Sequence, residues 1–236
     1  WYVMISVLRN NIRQLGWRRG ILYMLDRSLR TISAEKIRMV YYVLVAQPVP
    51  QRSRETLRKS ASIRIRVAGP DDGVVAQFPR ATEVIRRRFD AGSRCYVAEV
   101  NDRFAAYLWL SFGAYDEDEV RCRYAFGSED SCVWDYDVYV APEYRLGRTF
   151  ARLWAHANAD LADEGVHWTC SRISAFNPGS LAAHARLGAV VMRKALFLCI
   201  GSVQIAHVSD PGAWHFSGSP AQLPIIKLDP EERRLA

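Results

Sequence analysis

The sequence predicts an α+β fold: a mixed, mostly antiparallel central sheet flanked by helices, with a basic amphipathic helical extension at the N-terminus. Three observations predict it. Between residues 62 and 126 apolar side chains alternate with polar ones in short runs, the period of half-buried strands. From Val133 to Val208 the order changes to strand, helix, strand, helix, strand. Leu8, Ile12, Leu15, Leu22, Leu25 and Leu29 recur at spacings of three, four and seven, a helical stripe whose other positions hold arginines.

Each element follows in order. Gly16 and Gly20 bend or interrupt the first helix. Met39 to Ala46 is a β-rich run that Pro48 and Pro50 stop. Residues 51–60 are polar and basic without an apolar period, which suits a linker. Ser62 to Val67 alternates as a strand, and Asp71 to Asp90 is mainly helical with breaks at Gly73 and Pro79. Cys95 to Val100 and Arg103 to Phe112 form a hairpin around Asn101-Asp102. Val120 to Phe126 and Val133 to Val140 are further strands. Phe150 to Glu164 is a helix whose apolar face holds Phe150, Leu153, Trp154, Ala157, Leu161 and Ala162, ended by Gly165. Val166 to Ala175 is a strand. Pro178 to Leu187 is a short helix with Asn177 as its cap. Ala195 to Val208 closes with one or two strands, and the tail beyond Asp210 reads as irregular. The expected division is a basic extension and linker over residues 1–60, a globular domain over 61–208 and a tail over 209–236.

Half of the 236 residues are hydrophobic, enough for one large core. No apolar run approaches the roughly 20 residues that span a bilayer. The chain begins at Trp1 and not at methionine, so a preceding segment, including a targeting one, is an open expectation. The net charge of +7 is unevenly spread. Residues 1–60 hold 12 Lys/Arg against 3 Asp/Glu, and the rest holds 20 against 22. A nucleic-acid module carries its charge on the main fold, so nucleic acid is the least favoured partner. Five scattered cysteines without a Cys-x-x-Cys pair predict free thiols in a reducing cytosol and no metal site.

Two segments carry candidate chemistry. Val133 to Ala151 runs from a strand through a tight polar turn into a helix. Such a turn aims backbone N–H groups outward at a helix N-terminus, where a pyrophosphate fits. Arg145, Leu146, Gly147, Arg148 and Thr149 would supply those amides, and the guanidinium groups of Arg145 and Arg148 would add charge. An ordinary junction with solvated arginines is the alternative. On the strand itself, Asp135 and Asp137 are two apart and are expected on one face, with Trp134, Tyr136, Val138 and Val140 on the other.

The run Val140-Ala-Pro-Glu-Tyr-Arg145 and its following helix resemble the GNAT superfamily, which moves an acyl group from acetyl-CoA to an amine. Asn177, with Ser180, His184, Gly188 and Ala189 at the family's spacings, resembles the same superfamily. The likeness covers residues 62–206; Arg148 and Phe150 stand where the family has small residues. It implies acetyl-CoA, or another acyl-CoA, as co-substrate and a small-molecule amine as acceptor. It implies that the backbone of Val138, Tyr139 and Val140 pairs with the pantetheine arm, and that Asn177 bonds that arm or only caps its helix. An amine must lose a proton before it attacks a thioester, so Asp137 is the expected base, with Asp135 its rival. His184 stands where the family has an aromatic hydroxyl and would protonate the departing thiolate. The bland alternatives are an arginine-binding carboxylate pair and a structural histidine. Other readings are a longer acyl chain on CoA or on a carrier protein, and a catalytically silent fold serving as an adaptor. The extension at residues 1–30 would pack on the domain, join a homodimer or lie on a membrane; of these, packing is the favoured expectation. The expected location is cytoplasmic or membrane-peripheral.

Overall fold

The computed structural model describes residues 15–51, 62–209 and 211–231. Leu8, Ile12 and all but the first residue of the linker expected at residues 51–60 lie outside them. The described elements are α1 (Trp17–Ile32), β1 (Ile37–Pro48), β2 (Ile63–Ala68), a 3-10 turn (Gly73–Gln77), α2 (Thr82–Asp90), β3 (Arg94–Val100), β4 (Arg103–Phe112) and β5 (Tyr115–Asp116). Then come β6 (Arg123–Phe126), β7 (Cys132–Val140), a 3-10 turn (Pro142–Tyr144), α3 (Thr149–Asp163), β8 (Trp168–Ser174) and α4 (Pro178–Arg186). The chain closes with β9 (Val190–Ile200), β10 (Val203–Val208), β11 (Ala213–Ser217) and β12 (Ile225–Leu228). The fold is α+β and mostly antiparallel, as the alternation predicts. The tail expected to be irregular instead holds β11 and β12.

The chain forms two compact units. One comprises Pro48–Tyr115 and Ser128–Cys170. Within it the strand order is β7-β4-β3-β2, and each neighbouring pair is antiparallel. The β3–β4 hairpin turns through Asn101 at φ 49° and Asp102 at φ 60°. Two successive positive φ values make a primed turn, the kind whose twist matches the strands, and Asn and Asp tolerate it. Tyr96, Val97, Ala98, Tyr107, Leu108, Trp109 and Leu110 are completely buried at the centre of this sheet.

Helices cover both faces of that unit's sheet. Tyr96 pairs with Leu108 and meets His156 of α3, so α3 lies on the Leu108 and Leu110 face. Phe78 and Phe89 of the α2 region contact Trp109, so they lie on the other. α3 forms because Leu153, Trp154, Ala157 and Leu161 recur on one side, and all four are fully buried. Burying each of its two leucines contributes roughly 1.5–3 kcal/mol. Gly165 stops the helix at φ 80°, with Val166 N–H returning to Leu161 O at 2.9 Å.

The other unit comprises Trp1–Gln47, Asp116–Gly127 and Ser171–Ala236. Its strand order is β11-β10-β9-β1, again antiparallel at each pair. β1 lies along nearly the whole of β9, from Ile37 opposite Ile200 to Ala46 opposite Val190. β6 and β12 pair in parallel. Gly16, at φ 76°, interrupts the chain just before α1. Inside α1 the carboxylate of Asp26 is buried; it accepts from Arg30 Nε at 2.9 Å and from the Met39 amide at 2.7 Å. That bond ties the helix to the start of β1. Behind β1, Arg172 pairs with the fully buried carboxylate of Glu117 and stacks over the Tyr42 ring, whose hydroxyl donates to Glu119.

Candidate functional site

The expected face-sharing of Asp135 and Asp137 fails, and the register shows why. Trp109 of β4 stands opposite Asp137, but the next residue, Leu110, stands opposite Asp135. Tyr136 is therefore an extra residue, a β-bulge. Partners across an antiparallel ladder share a face, whereas successive residues on a strand alternate. Asp137 thus lies on the Trp109 face and Asp135 on the Leu110 face, where it is 3% exposed.

Asp137 sits in a dense set of donors. Its Oδ2 accepts from Arg88 Nη1 at 2.7 Å, Arg80 Nε at 3.0 Å and the Tyr107 hydroxyl at 3.0 Å. Its Oδ1 accepts from Arg80 Nη2 at 3.0 Å. Arg88 also lies over the rings of Trp109 and Tyr136, at 5.4 and 5.0 Å from their centroids. Burial, followed by the Asp137 charge, pushes the Tyr107 hydroxyl upward, so Tyr107 stays a neutral donor. Burial pushes Tyr136 up to about 12. The α2 region supplies both arginines, and sequence reasoning missed them: nothing local links Arg80 or Arg88 to a strand some 50 residues on.

The turn after β7 behaves differently from expectation. Tyr144 N–H bonds Ala141 O at 2.9 Å, Arg145 N–H bonds Pro142 O, and Gly147 N–H bonds Tyr144 O at 3.2 Å. Arg145 and Gly147 thus spend their amides inside the turn. Arg145 Nε donates to Val140 O at 3.0 Å. The helix starts one step later. Arg152 N–H to Arg148 O, at 3.0 Å, closes the first turn of α3. The amides of Thr149, Phe150 and Ala151 precede it and have no place in the helical ladder. Arg148 is the N-cap and no side chain caps the helix. Arg145, Leu146, Gly147 and Arg148 are exposed, whereas Thr149 is buried. Phe150 is half-buried against Trp154. An anion could approach this end of α3, where the helix dipole places roughly half a positive charge. Val138, Tyr139 and Val140 pair with Leu108, Tyr107 and Ala106, so β4 occupies one edge of that stretch.

Asn177 and His184 belong to the other unit. Asn177 is the N-cap of α4: its Oδ1 accepts from Ser180 N–H at 3.0 Å. His184 is 4% exposed on that helix. Burial lowers its pKa to about 4. At neutral pH it is an uncharged imidazole, without the extra proton a general acid would give. A cavity of about 500 Å³ opens in this unit beside residues 116–122, lined in part by Arg38, Glu117, Glu119, Arg121 and Cys199. Glu117 there pairs with Arg172, and Glu119 accepts from the Tyr42 hydroxyl.

All five cysteines are free and buried. Burial pushes the thiols of Cys95, Cys122, Cys170 and Cys199 upward, away from thiolate chemistry. Among the described residues no group of three His, Cys, Asp or Glu side chains is placed to hold a metal, and no helix is long and apolar enough to cross a membrane.

No family profile and no curated protein match the chain. Solved structures do. A tandem GNAT protein from the clavulanic acid biosynthesis pathway shares 16% identity at a TM-score of 0.48, over 77% of this chain and 58% of that one. A protein assigned to the GNAT family of acetyltransferases, from Novosphingobium aromaticivorans, shares 17% identity at 0.47, over 67% and 63%. An aminoglycoside acetyltransferase from an uncultured soil metagenome, solved with sisomicin, shares 9% identity at 0.40, over 53% and 86%. The chain thus spans less than two thirds of the first two proteins.

Proposed function

We propose that this chain is an N-acyltransferase that moves an acetyl or other acyl group from acyl-CoA to the amine of a small acceptor by direct attack. The observation that carries the reading is the start of α3: the Thr149 and Ala151 amides outside the helical ladder, no side-chain cap and an exposed Arg148, reached from β7 through one short turn. Thr149 and Ala151 would hold the diphosphate by their amides, with Arg148 and Arg145 adding charge. The spacing of Asn177, His184 and Gly188 supports the same reading.

The thioester supplies an activated acyl carbon. As the acceptor nitrogen forms the C–N bond, the C–S bond breaks, and the proton lost by nitrogen balances the charge of the departing thiolate. In this reading Asp137 anchors Arg80 and Arg88 and is not the base, because an acceptor proton would compete with four donors already in place. Asp135 and His184 are buried and serve the fold. With none of these three as the base, the acceptor arrives uncharged. That favours a weakly basic nitrogen, such as an α-amine near about 7.7–8.0, over an alkylamine near about 10.4. Buried free thiols suit a cytoplasmic site of action.

Calorimetry with acetyl-CoA, followed by thiol-release assays over an acceptor panel, tests this. Stoichiometric binding and faster release with α-amines are expected. Absence of acetyl-CoA binding overturns the reading. A second reading, a longer acyl chain delivered by an acidic carrier protein, draws on the basic charge of residues 1–60. Thiol release from an acylated carrier, but not from acetyl-CoA, would select it.

A further inference from the structure

α1 is built inside out. Its two buried residues are Gly20 and Asp26, and its inward polar pair, Asp26 with Arg30, serves the start of β1. Four of its large apolar side chains point the other way. Trp17 is 62% exposed, Ile21 52%, Leu25 46% and Ile32 85%. Trp17, Ile21 and Leu25 are spaced by four, and Ile32 follows seven after Leu25, so all four fall in one stripe at 100° per residue. This corrects the expectation that the stripe packs into the core: Leu25 faces outward, and Leu22 and Leu29 are only half-buried.

Single exposed apolar side chains are ordinary, but four in one stripe, broken only by Ser28, mark a surface that something covers. Charge identifies the cover. The exposed Arg18 and Arg27 fall on opposite flanks of the stripe. The one acid of α1, Asp26, is buried and neutralised by Arg30, so the helix presents only positive charge to its surroundings. An apolar row with cationic flanks and a tryptophan near its end is the pattern of a helix lying in the boundary of an anionic bilayer. A second copy fits less well. A two-fold contact along this row would bring the arginine flanks of two copies together with no acid to meet them.

We propose that α1 docks the chain on an anionic lipid surface. Trp17, Ile21, Leu25 and Ile32 enter the headgroup boundary, and Arg18 and Arg27 meet lipid phosphates. The helix lies on the membrane and does not span it. The inference stands apart from the acyl-transfer reading, since it uses none of that site's residues.

The test is co-sedimentation of the full chain with phosphatidylcholine–phosphatidylserine vesicles and with pure phosphatidylcholine vesicles. Binding to the anionic vesicles, weak binding to the neutral ones and loss at high salt are expected. Reversing both flanks, Arg18→Glu with Arg27→Glu, should weaken partitioning by roughly 30-fold or more. Ile21→Asp with Leu25→Asp should abolish it. These positions are exposed, so circular dichroism and Tm should match the parent, separating lost docking from lost folding. Absence of binding by the parent overturns the proposal. So does binding that both double variants retain, which would place the contact elsewhere in the chain. A dimer of the parent that the Ile21→Asp, Leu25→Asp variant converts to monomer, without vesicle binding, would assign the face to a second copy instead.

Discussion

Asp137 and Arg88 form a buried ion pair at 2.7 Å, with side chains only 9% and 12% exposed. The geometry follows from one inserted residue. Because Tyr136 bulges out of the β7–β4 register, its ring lies beside that of Trp109 and both meet the Arg88 guanidinium, and Asp137 turns toward the same cation. Removing Asp137 leaves the Arg88 charge buried without its carboxylate, whereas removing Arg88 leaves Asp137 still paired with Arg80 and Tyr107.

Asp137→Asn should therefore act first on stability. A loss of about 3–5 kcal/mol is expected from breaking a buried pair, read as a lower urea midpoint. Arg88→Met alone should cost less, because Arg80 and Tyr107 still satisfy Asp137, and the double variant clearly less than the two together. Strict additivity would show that the pair is not coupled. Arg88→Lys should fail to rescue, because a lysine lacks the planar fork that lies against the rings and reaches the carboxylate at once.

His184 makes stability depend on pH. Burial lowers its pKa to about 4 from the ordinary 6.5. As pH falls through 6.5 the unfolded chain takes up a proton that the folded chain refuses until about pH 4. The contribution of neutral His184 is thus fully present above pH 6.5 and is lost as pH falls toward 4. Linkage puts the loss on the order of 3 kcal/mol. Compared across that range, His184→Gln should lose less stability than the parent by this margin. An NMR titration that moved the His184 ring signals near pH 6.5 would contradict the burial argument.

The buried pair of Arg172 and Glu117 is predicted to hold its own unit together. The Glu117 side chain is fully buried, and the Arg172 guanidinium also covers Tyr42. Burial alone would lower the Arg172 pKa, but the Glu117 charge raises it above the usual value. Glu117→Gln should cost about 3–5 kcal/mol. Replacing both residues by methionine should recover most of that. A midpoint unchanged in Glu117→Gln would mean that the two side chains do not pair in solution.

How far the sequence is legible depends on the range of the interaction. α3 could be read closely because its apolar row, its Gly165 stop and its helical period are all local. The Asn101-Asp102 turn and the Asn177 cap rest on side-chain and backbone preferences within four residues, and both are in place. The bulge at Tyr136 left no such mark: β7 alternates smoothly in sequence, and only its pairing with β4 reveals that Asp135 and Asp137 diverge. β11 and β12 were missed for a related reason. Glycine and proline around them signal turns, while the strands draw their order from β10 and β6. In α1 the helical period was visible, but which side faces inward is decided by Asp26 reaching the Met39 amide.

The first turn of α3 offers the sharpest test of the candidate site. Arg148 is exposed at the N-cap, next to amides that the helix cannot use, whereas Leu146 is fully exposed and bonded to nothing that the turn needs. A carboxylate at residue 148 would repel a diphosphate and also satisfy the positive end of the helix dipole in its place. Arg148→Glu should therefore weaken acetyl-CoA binding by roughly tenfold or more, with little change in Tm because no fold contact is lost. Leu146→Ala should leave both unchanged. Isothermal titration of the three proteins decides the matter. Equal affinity of Arg148→Glu and the parent would remove the α3 terminus from the binding site, and with it the observation on which the acyl-transfer reading rests.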